Sequence, residues 1–326
     1  MFDWWRLLII FLVCEHLAWG DPVEILNVSY DPTREFYDEY NLLFSDFWKK
    51  QKGEEVFVLQ SHGGSGRQAR AVIHGLAADV VTLALAWDID RIATSGLIAE
   101  NWQARLPYNS SPYTSIIVFL VRQGNPKGIK DWSDLIKEGV TVVTPNPKTS
   151  GGARWNYLAA YAWAREHFGD EKGALAFMKK LFSHVPMLDV GARGATVTFA
   201  HRKLGDVLVA WENEAMLIKK RLPEFEIVVP SLTILAEPPV AVVDEEVDKH
   251  GTRKVAEGYL RYLYSLEAQR LMGRNFFRPR DLTVLTEMQG VFPEANTITI
   301  SDLGGWPAVQ KRHFEDGGLF DQIYAH

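Results

Sequence analysis

Glu55-Val56-Phe57-Val58-Leu59-Gln60 runs directly into Ser61-His62-Gly63-Gly64-Ser65-Gly66-Arg67, and this stretch decides the fold. The first six residues predict a β-strand, and the glycine-rich segment at its carboxyl end leads into Gln68-Ala69-Arg70-Ala71, which is typical of a helix. A helix start presents free backbone N–H groups and the positive end of the helix dipole. Such a segment can bind an anion without any charged side chain.

A second segment of the same kind is Pro147-Lys148-Thr149-Ser150-Gly151-Gly152-Ala153-Arg154, which again precedes a predicted helix. Serine and glycine also cap helices that bind nothing, so one such segment alone is weak evidence for a ligand site. Neither segment matches the nucleotide P-loop or the dinucleotide fingerprint G-x-G-x-x-G. Two such helix starts together indicate one anion held from two sides.

Predicted strands alternate with predicted helices along most of the chain, which favours parallel sheets covered by helices. In such sheets ligands bind beyond the carboxyl ends of the strands. Asp31 is the predicted N-cap of the first helix, with Pro32 at its first position. Residues 255–271 predict one helix interrupted only by Gly258. The predicted strands are 24–30, 55–60, 79–85, 115–122, 139–144, 205–211 and a return strand at 238–243.

The N-terminus has the pattern of a secretory signal peptide. Residues 7–14 are an apolar run, and Ala18-Trp19-Gly20 follows as a cleavage site, so residues 1–20 are expected to be removed. The run is too short to span a bilayer. Cys14 is the only cysteine, and Val13 before it disfavours a lipid anchor, so the mature chain would be a soluble periplasmic protein without disulfides.

Length and charge restrict the remaining possibilities. With 326 residues the chain is long enough for two domains, and its net charge of −6 argues against nucleic acid as a partner. A secreted hydrolase is disfavoured because the chain has neither a G-x-S-x-G elbow nor an H-E-x-x-H motif. The nine histidines show no metal-ligand spacing, so we expect no metal and no cofactor.

Six motifs occur in order, and together they resemble the periplasmic sulfate-binding protein family from about residue 25 to near the C-terminus. They are Ser29-Tyr30-Asp31-Pro32-Thr33-Arg34-Glu35, the segment 61–68, Pro145 through Tyr157, Gly191-Ala192-Arg193-Gly194, Val209-Ala210-Trp211-Glu212-Asn213-Glu214 and Phe277-Arg278-Pro279-Arg280.

This resemblance implies an α/β, two-lobe type 2 periplasmic binding fold, each lobe a mostly parallel sheet flanked by helices. Residues 21–114 and 237–326 would form a discontinuous first lobe and 115–236 the second, with hinges near 112–115 and 236–238. Such a protein captures sulfate and delivers it to the permease of an inner-membrane ABC transporter. It is not an enzyme, and we expect a monomer.

The same resemblance implies that hydrogen-bond donors, and no cation, contact the sulfate. The family pattern places Ala192 on the ligand, so we expect Arg193 to point away and to pair with Asp88. The implied donors are the backbone N–H groups of Ser65, Ser150, Gly151, Gly152 and Ala192, the hydroxyl of Ser150 and the indole N–H of Trp211.

Thiosulfate and phosphate are the alternative ligands to sulfate. Relatives that bind thiosulfate share the fold and many motifs, although the glycines and Trp211 favour sulfate. Phosphate is disfavoured because its protonated form needs a hydrogen-bond acceptor, and the motif residues offer none. A tryptophan indole suits sulfate, because it is a donor with no acceptor capacity.

Overall fold

The computed structural model describes residues 21–324, so the predicted signal peptide lies outside the described residues. The chain forms two β-sheets covered by helices, an α/β architecture as predicted. The strands are β1 (Val23–Tyr30), β2 (Val56–Gly63), β3 (Val80–Thr82), β4 (Tyr113–Arg122), β5 (Val142–Pro145), β6 (Leu188–Asp189), β7 (Val207–Trp211), β8 (Phe225–Val228), β9 (Thr233–Ala236), β10 (Val240–Val242), β11 (Arg278–Pro279) and β12 (Thr297–Ile298).

The helices lie between and after these strands. They are α1 (Arg34–Lys52), α2 (Ser65–Ile73), α3 (Ala86–Thr94), α4 (Pro107–Ser110), α5 (Gly151–Phe168), α6 (Glu171–Ser183), α7 (Ala192–Thr196), α8 (Glu212–Arg221), α9 (Asp244–His250), α10 (Arg253–Tyr262), α11 (Leu266–Arg274), α12 (Leu282–Glu287), α13 (Gly305–Val309) and α14 (Leu319–Tyr324). Short 3₁₀ segments occupy Asp31–Thr33, Trp102–Arg105, Trp132–Ile136 and Ile300–Leu303, and π segments occupy Val197–His201 and Gln310–Phe314.

The first sheet has the strand order β10-β3-β1-β2. β1 pairs in parallel with β2 and β3, whereas the return strand β10 runs antiparallel to β3. Alternate residues of β1 enter different hydrophobic clusters, with Ile25 on one face and Val28 on the other. Both faces of this sheet are therefore covered, which explains the nearly continuous apolar runs of its strands.

The second sheet is built around β4, in the order β12-β9-β4-β7-β5-β6. β4 runs antiparallel to β7, β8 and β9, and β5 is parallel to β6 and β7. This sheet is therefore mixed, not mostly parallel as predicted, because the chain enters it on β4 and its later strands pair with β4 in the opposite direction. Ile117 and Phe119 enter one hydrophobic cluster while Ile116 and Val118 enter another. This strand is buried on both faces, as its unbroken apolar sequence predicts.

The chain passes between the sheets at two neighbouring places. β4 begins at Tyr113, directly after the first-sheet elements, and the chain returns between β9 and β10. The segment from β12 onward lies against second-sheet elements, since β12 pairs with β9 and α14 packs on α6. The lobe boundaries themselves stay a prediction.

Two local predictions were wrong. Asp31 is not the N-cap, because Tyr30 precedes the 3₁₀ segment and the α-helix itself begins at Arg34. The helix predicted over 255–271 is two helices, α10 and α11, because the Ser265 side chain accepts the amide of Ala268 and starts a new helix. Apolar spacing continues across the break, so periodicity alone missed it.

Candidate functional site

The N-termini of two helices, one from each lobe, meet at the cleft between the lobes. α2 begins at Ser65 at the carboxyl end of β2, and α5 begins at Gly151 beyond β5. A methyl group added to Gly151 would lie 2.8 Å from Ser65 Cβ and 3.0 Å from Ala84 Cβ. Only glycine permits this approach, so the glycine brings the two helix starts together.

The helix starts leave backbone donors free of intrahelical partners. The amides of Arg67 and Gln68 both donate to the Gly64 carbonyl at 2.9 Å, which leaves Ser65 at the open end of α2. In α5 the amide of Ala153 donates to Ser150 Oγ at 3.3 Å. Both helix dipoles place partial positive charge at this junction.

The Ser150 amide already has a partner within the protein. It donates to the Asn146 carbonyl at 2.9 Å, within the turn that precedes α5, so it is already engaged. A serine at an N-cap has its amide outside the helix, where a turn can use it. A bond from this amide to an anion would compete with the one to Asn146, whereas the Ser150 hydroxyl proton has no such partner within residues 21–324.

Trp211 ends β7 and precedes α8, which places its buried ring beside α5. Its indole Nε1 lies 3.2 Å from the Gly152 carbonyl, to which it donates, and the ring centroid lies 5.4 Å from that of Tyr30. A hydrogen bond of this length is at the long end of the usual range. The indole N–H is thus held next to the Gly152 amide by a weak bond.

Ala192 reaches the same cleft through the loop before α7. Thr149 Oγ1 donates to the Val190 carbonyl at 2.7 Å, which joins this loop to the segment before α5. A methyl group on Gly191 would lie 3.1 Å from Asp31 Oδ2, a residue of the first lobe. Asp31 was not predicted from the sequence to lie beside the site. It could have been, because Asp31 directly follows β1 and ligands bind at the carboxyl ends of parallel strands.

Direct contacts join the two lobes around this site. Trp155 Nε1 donates to the Ala84 carbonyl at 2.9 Å, and the Asn213 side chain donates to the Pro32 carbonyl at 3.3 Å. Trp155 and Trp211 share one hydrophobic cluster with Tyr30 and Leu85. The lobes of this structure are therefore closed on each other.

The predicted pairing of Arg193 with Asp88 is wrong. Arg193 Nη2 lies 3.2 Å from Glu35 Oε1 on α1, and Arg221 binds the same oxygen at 3.3 Å. Asp88 instead accepts the Ser65 hydroxyl at 2.6 Å. α7 packs on the 3₁₀ segment Asp31–Thr33 that leads into α1, whereas Asp88 lies on α3, which packs on α2. Arg193 therefore reaches Glu35 in the first lobe and not Asp88.

Asp88 is a buried carboxylate that accepts a hydrogen bond from Ser65 at the start of α2. Its Oδ1 has no hydrogen-bond partner among residues 21–324, and burial raises the pKa of this group, with Arg154 opposing. Arg154 itself donates to the Pro147 carbonyl and to Gln310.

A cavity lined by Asp31, Arg193 and Glu214 lies next to the loop before α7. Burial raises the pKa of Glu214 to about 8, with Arg193 opposing and Asp31 and Glu35 reinforcing the shift. Arg221 and His201 line the same cavity. Glu214 therefore keeps its proton to a higher pH in the folded protein than in the unfolded chain.

This pKa predicts a pH-dependent stability. Between the ordinary pKa of 4.5 and about 8, unfolding releases the Glu214 proton, so stability falls as the pH rises through this window. Glu214→Gln mimics the protonated form and removes the dependence. Thermal unfolding at about pH 5 and about pH 9 should show the variant gaining stability relative to the unmodified protein as the pH rises. An unchanged difference at the two pH values would contradict the assignment.

Neither a metal-binding cluster nor a membrane-spanning helix occurs in the described part of the chain. Within residues 21–324 no group of three His, Cys, Asp or Glu side chains could hold a metal ion. Nor does any helix in that range have the length and apolar character needed to cross a membrane.

A cleft between two α/β lobes, lined by helix N-termini, defines a solute-binding protein for anions. The chain matches the family model of the bacterial extracellular solute-binding proteins over residues 34–278, and it belongs to that family. Within that class it is a member of the sulfate-binding protein family, as three relatives indicate.

The first relative, the sulfate-binding protein of Escherichia coli (strain K12), is 55% identical over 323 residues, which cover 98% of each chain. The thiosulfate-binding protein of Pseudomonas aeruginosa is 51% identical over 305 residues, 92% of each chain. The structure of the sulfate-binding protein SubI from Mycobacterium tuberculosis H37Rv superposes with a TM-score of 0.82 at 32% identity, covering 90% of this chain and all of the other.

Proposed function

We propose that this protein captures sulfate and delivers it to an ABC transporter for uptake. The observation that supports this most directly is the meeting of the α2 and α5 starts at Ser65 and Gly151. Sulfate carries no proton near neutral pH, so it can only accept hydrogen bonds, and helix starts only donate them. Hydrogen bonds to a charged group contribute about 1.5–3 kcal/mol each, so several together offset the desolvation of a dianion.

The proposed donors come from both sides of the cleft. Helix α2 provides the Ser65 amide, and the loop before α7 leads to the Ala192 amide. Helix α5 provides two glycine amides, and Ser150 provides its hydroxyl. The indole N–H of Trp211 exchanges its weak bond to Gly152 for a sulfate oxygen. The full set is Ser65, Ser150, Gly151, Gly152, Ala192 and Trp211.

The proposed lobes follow the two sheets. The sequence predicted residues 21–114 and 237–326 for the first lobe. We propose instead that the first lobe ends at residue 296 and that the C-terminal segment 297–324 joins residues 115–236 in the second lobe. The pairing of β12 with β9 and the edge-to-face contact of Trp306 with Trp155, with ring centroids 4.9 Å apart, support this placement of the C-terminal segment. Closure of the lobes would complete the donor set around the anion.

The location and partners follow from the proposed transport role. Residues 1–20 act as a cleaved signal peptide that brings the protein to the periplasm. There the monomer meets the permease subunits of the inner-membrane transporter. The protein binds and releases its ligand unchanged and catalyses no reaction.

Thiosulfate is the second candidate ligand. It has the same tetrahedral shape and charge as sulfate, with one sulfur in place of an oxygen, and the Pseudomonas relative is named for it. The donor set favours sulfate, because sulfur is the weaker hydrogen-bond acceptor and the buried N–H facing it would lose part of its bond.

Calorimetric titration of the mature protein tests this function. Sulfate should bind one to one and raise the unfolding temperature, because a ligand that binds only the folded state stabilises it by mass action. Thiosulfate, phosphate and molybdate serve as comparisons under the same conditions. Tighter binding of thiosulfate would establish the second candidate, and no binding of any of the four would refute the proposed function.

A further inference from the structure

One motif has no place in the donor set, namely Phe277-Arg278-Pro279-Arg280. Arg278 and Pro279 form β11, which pairs antiparallel with β4 at Thr114 and Tyr113. This is the point where the chain passes from the first sheet to the second. The motif therefore lies on the connection between the lobes rather than in the cleft.

Arg278 makes a two-pronged ion pair with a buried carboxylate. Its Nε lies 2.6 Å from Glu212 Oε2 and its Nη2 lies 2.7 Å from Glu212 Oε1. Nη2 also donates to the Pro293 carbonyl at 2.7 Å, and the guanidinium lies over the Phe292 ring. Glu212 is 0% exposed, so its charge depends on this one partner.

Glu212 directly follows Trp211 at the start of α8. A residue fixed at this junction sets the backbone from which the Trp211 ring extends. The next residue, Asn213, is tied to the Pro32 carbonyl of the first lobe. The ion pair therefore restrains the direction of the indole N–H beside Gly152.

The neighbouring Arg280 binds both segments that cross between the lobes. It donates to the Ser111 carbonyl at 3.2 Å and to Glu237 Oε1 at 2.8 Å. The segment from Arg278 to Arg280 thus contacts both crossings and Glu212, the residue next to Trp211.

We infer that Arg278 and Glu212 are positioning residues, which aim the Trp211 indole at the bound anion by tying the β7–α8 junction to the lobe crossing. The inference rests on the proposed function. It deepens that function, because it assigns part of the affinity to two residues that do not contact the ligand. Lysine cannot replace Arg278, since it cannot bind both carboxylate oxygens in a planar fork.

The test is a double-mutant cycle between Glu212→Gln and Trp211→Phe, with sulfate affinity and unfolding temperature both measured. Glu212→Gln should weaken sulfate binding about fivefold in the unmodified chain and less than about twofold when Trp211 is already phenylalanine. The loss of unfolding temperature should be the same in both backgrounds. This separates positioning from stability, because a merely structural role would weaken binding equally in both.

Arg278→Lys provides a second route if Glu212→Gln does not fold, since it keeps the charge and loses the fork. Its effect on sulfate binding should likewise disappear in the Trp211→Phe background. Arg253→Lys is the matched control, because Arg253 forms the same Nε and Nη2 fork, here with Asp248 of α9 in the first lobe. It should lower stability and leave sulfate affinity unchanged.

Equal losses of affinity in the two backgrounds would overturn the inference. Failure of the proposed function gives a different result, namely no sulfate binding by the unmodified protein.

Discussion

Gly151→Ala should weaken sulfate binding by about 5- to 150-fold, the effect of about 1–3 kcal/mol of overpacking, and leave the sulfate-free protein folded. The added methyl group would lie 2.8 Å from Ser65 Cβ, 3.0 Å from Ala84 Cβ and 3.2 Å from Leu85 Cγ. All three atoms belong to the opposite lobe, and the two Cβ atoms cannot move without their backbone. The conflict therefore arises only when the lobes close, and alanine is at least as good as glycine in a helix.

Titration calorimetry and thermal unfolding without sulfate measure the two effects separately. Gly63→Ala is the control, because its methyl group would lie 3.5 Å from Gln68 Cδ, an ordinary contact within the first lobe. It should keep its affinity. Undiminished binding by Gly151→Ala would contradict the proposed closure. A large fall in the unfolding temperature without sulfate would show that the lobes are packed together before any ligand binds.

Trp211→Phe should weaken sulfate binding by about 1.5–3 kcal/mol, or about 10- to 150-fold. Phenylalanine keeps most of the ring packing on Tyr30 but removes the N–H that now lies 3.2 Å from the Gly152 carbonyl. One oxygen of the buried anion would lose its donor and find no replacement.

Arg193→Gln is the comparison that tests whether charge or backbone donors bind the anion. Arg193 is half exposed and pairs with Glu35 across the lobes, and such an exposed pair contributes about 0–1 kcal/mol, or at most about fivefold in affinity. Both dissociation constants should be measured at two salt concentrations. A larger and strongly salt-dependent loss for Arg193→Gln than for Trp211→Phe would refute a site without cationic contacts.

The pattern of apolar residues predicted most of the architecture. β4 was recognisable because every residue from Tyr113 to Val121 is buried. A strand buried on both faces appears in the sequence as an unbroken apolar run. The break between α10 and α11 was not recognisable, since Ser265 differs from an ordinary helical serine only in its backbone conformation. The spacing of apolar residues shows which face of a helix is buried, but it does not show where one helix ends and the next begins with a new N-cap.

The site was predicted in type but not in detail. The glycine segments predicted the helix starts at Ser65 and Gly151, because free amides follow from local sequence alone, and anion binding there stays a prediction. Which charges pair around them did not follow: Arg193 binds Glu35 rather than Asp88, and the Ser150 amide binds Asn146. Ion pairs depend on which helices and strands become neighbours in space. Neither the separation of two residues in the chain nor a sequence motif predicts those neighbours.

The sequence by itself determined the alternation of strands and helices, the two helix starts and the place of Trp211 at the end of a strand. These are local properties, set by side-chain periodicity and by the backbone freedom of glycine. Only the tertiary structure decided that Gly151 lies against Ser65, that Arg278 reaches Glu212, and that the C-terminal segment packs on the second sheet. Each of these contacts joins residues far apart in the chain, and their energies depend on burial that exists only once the two sheets have formed.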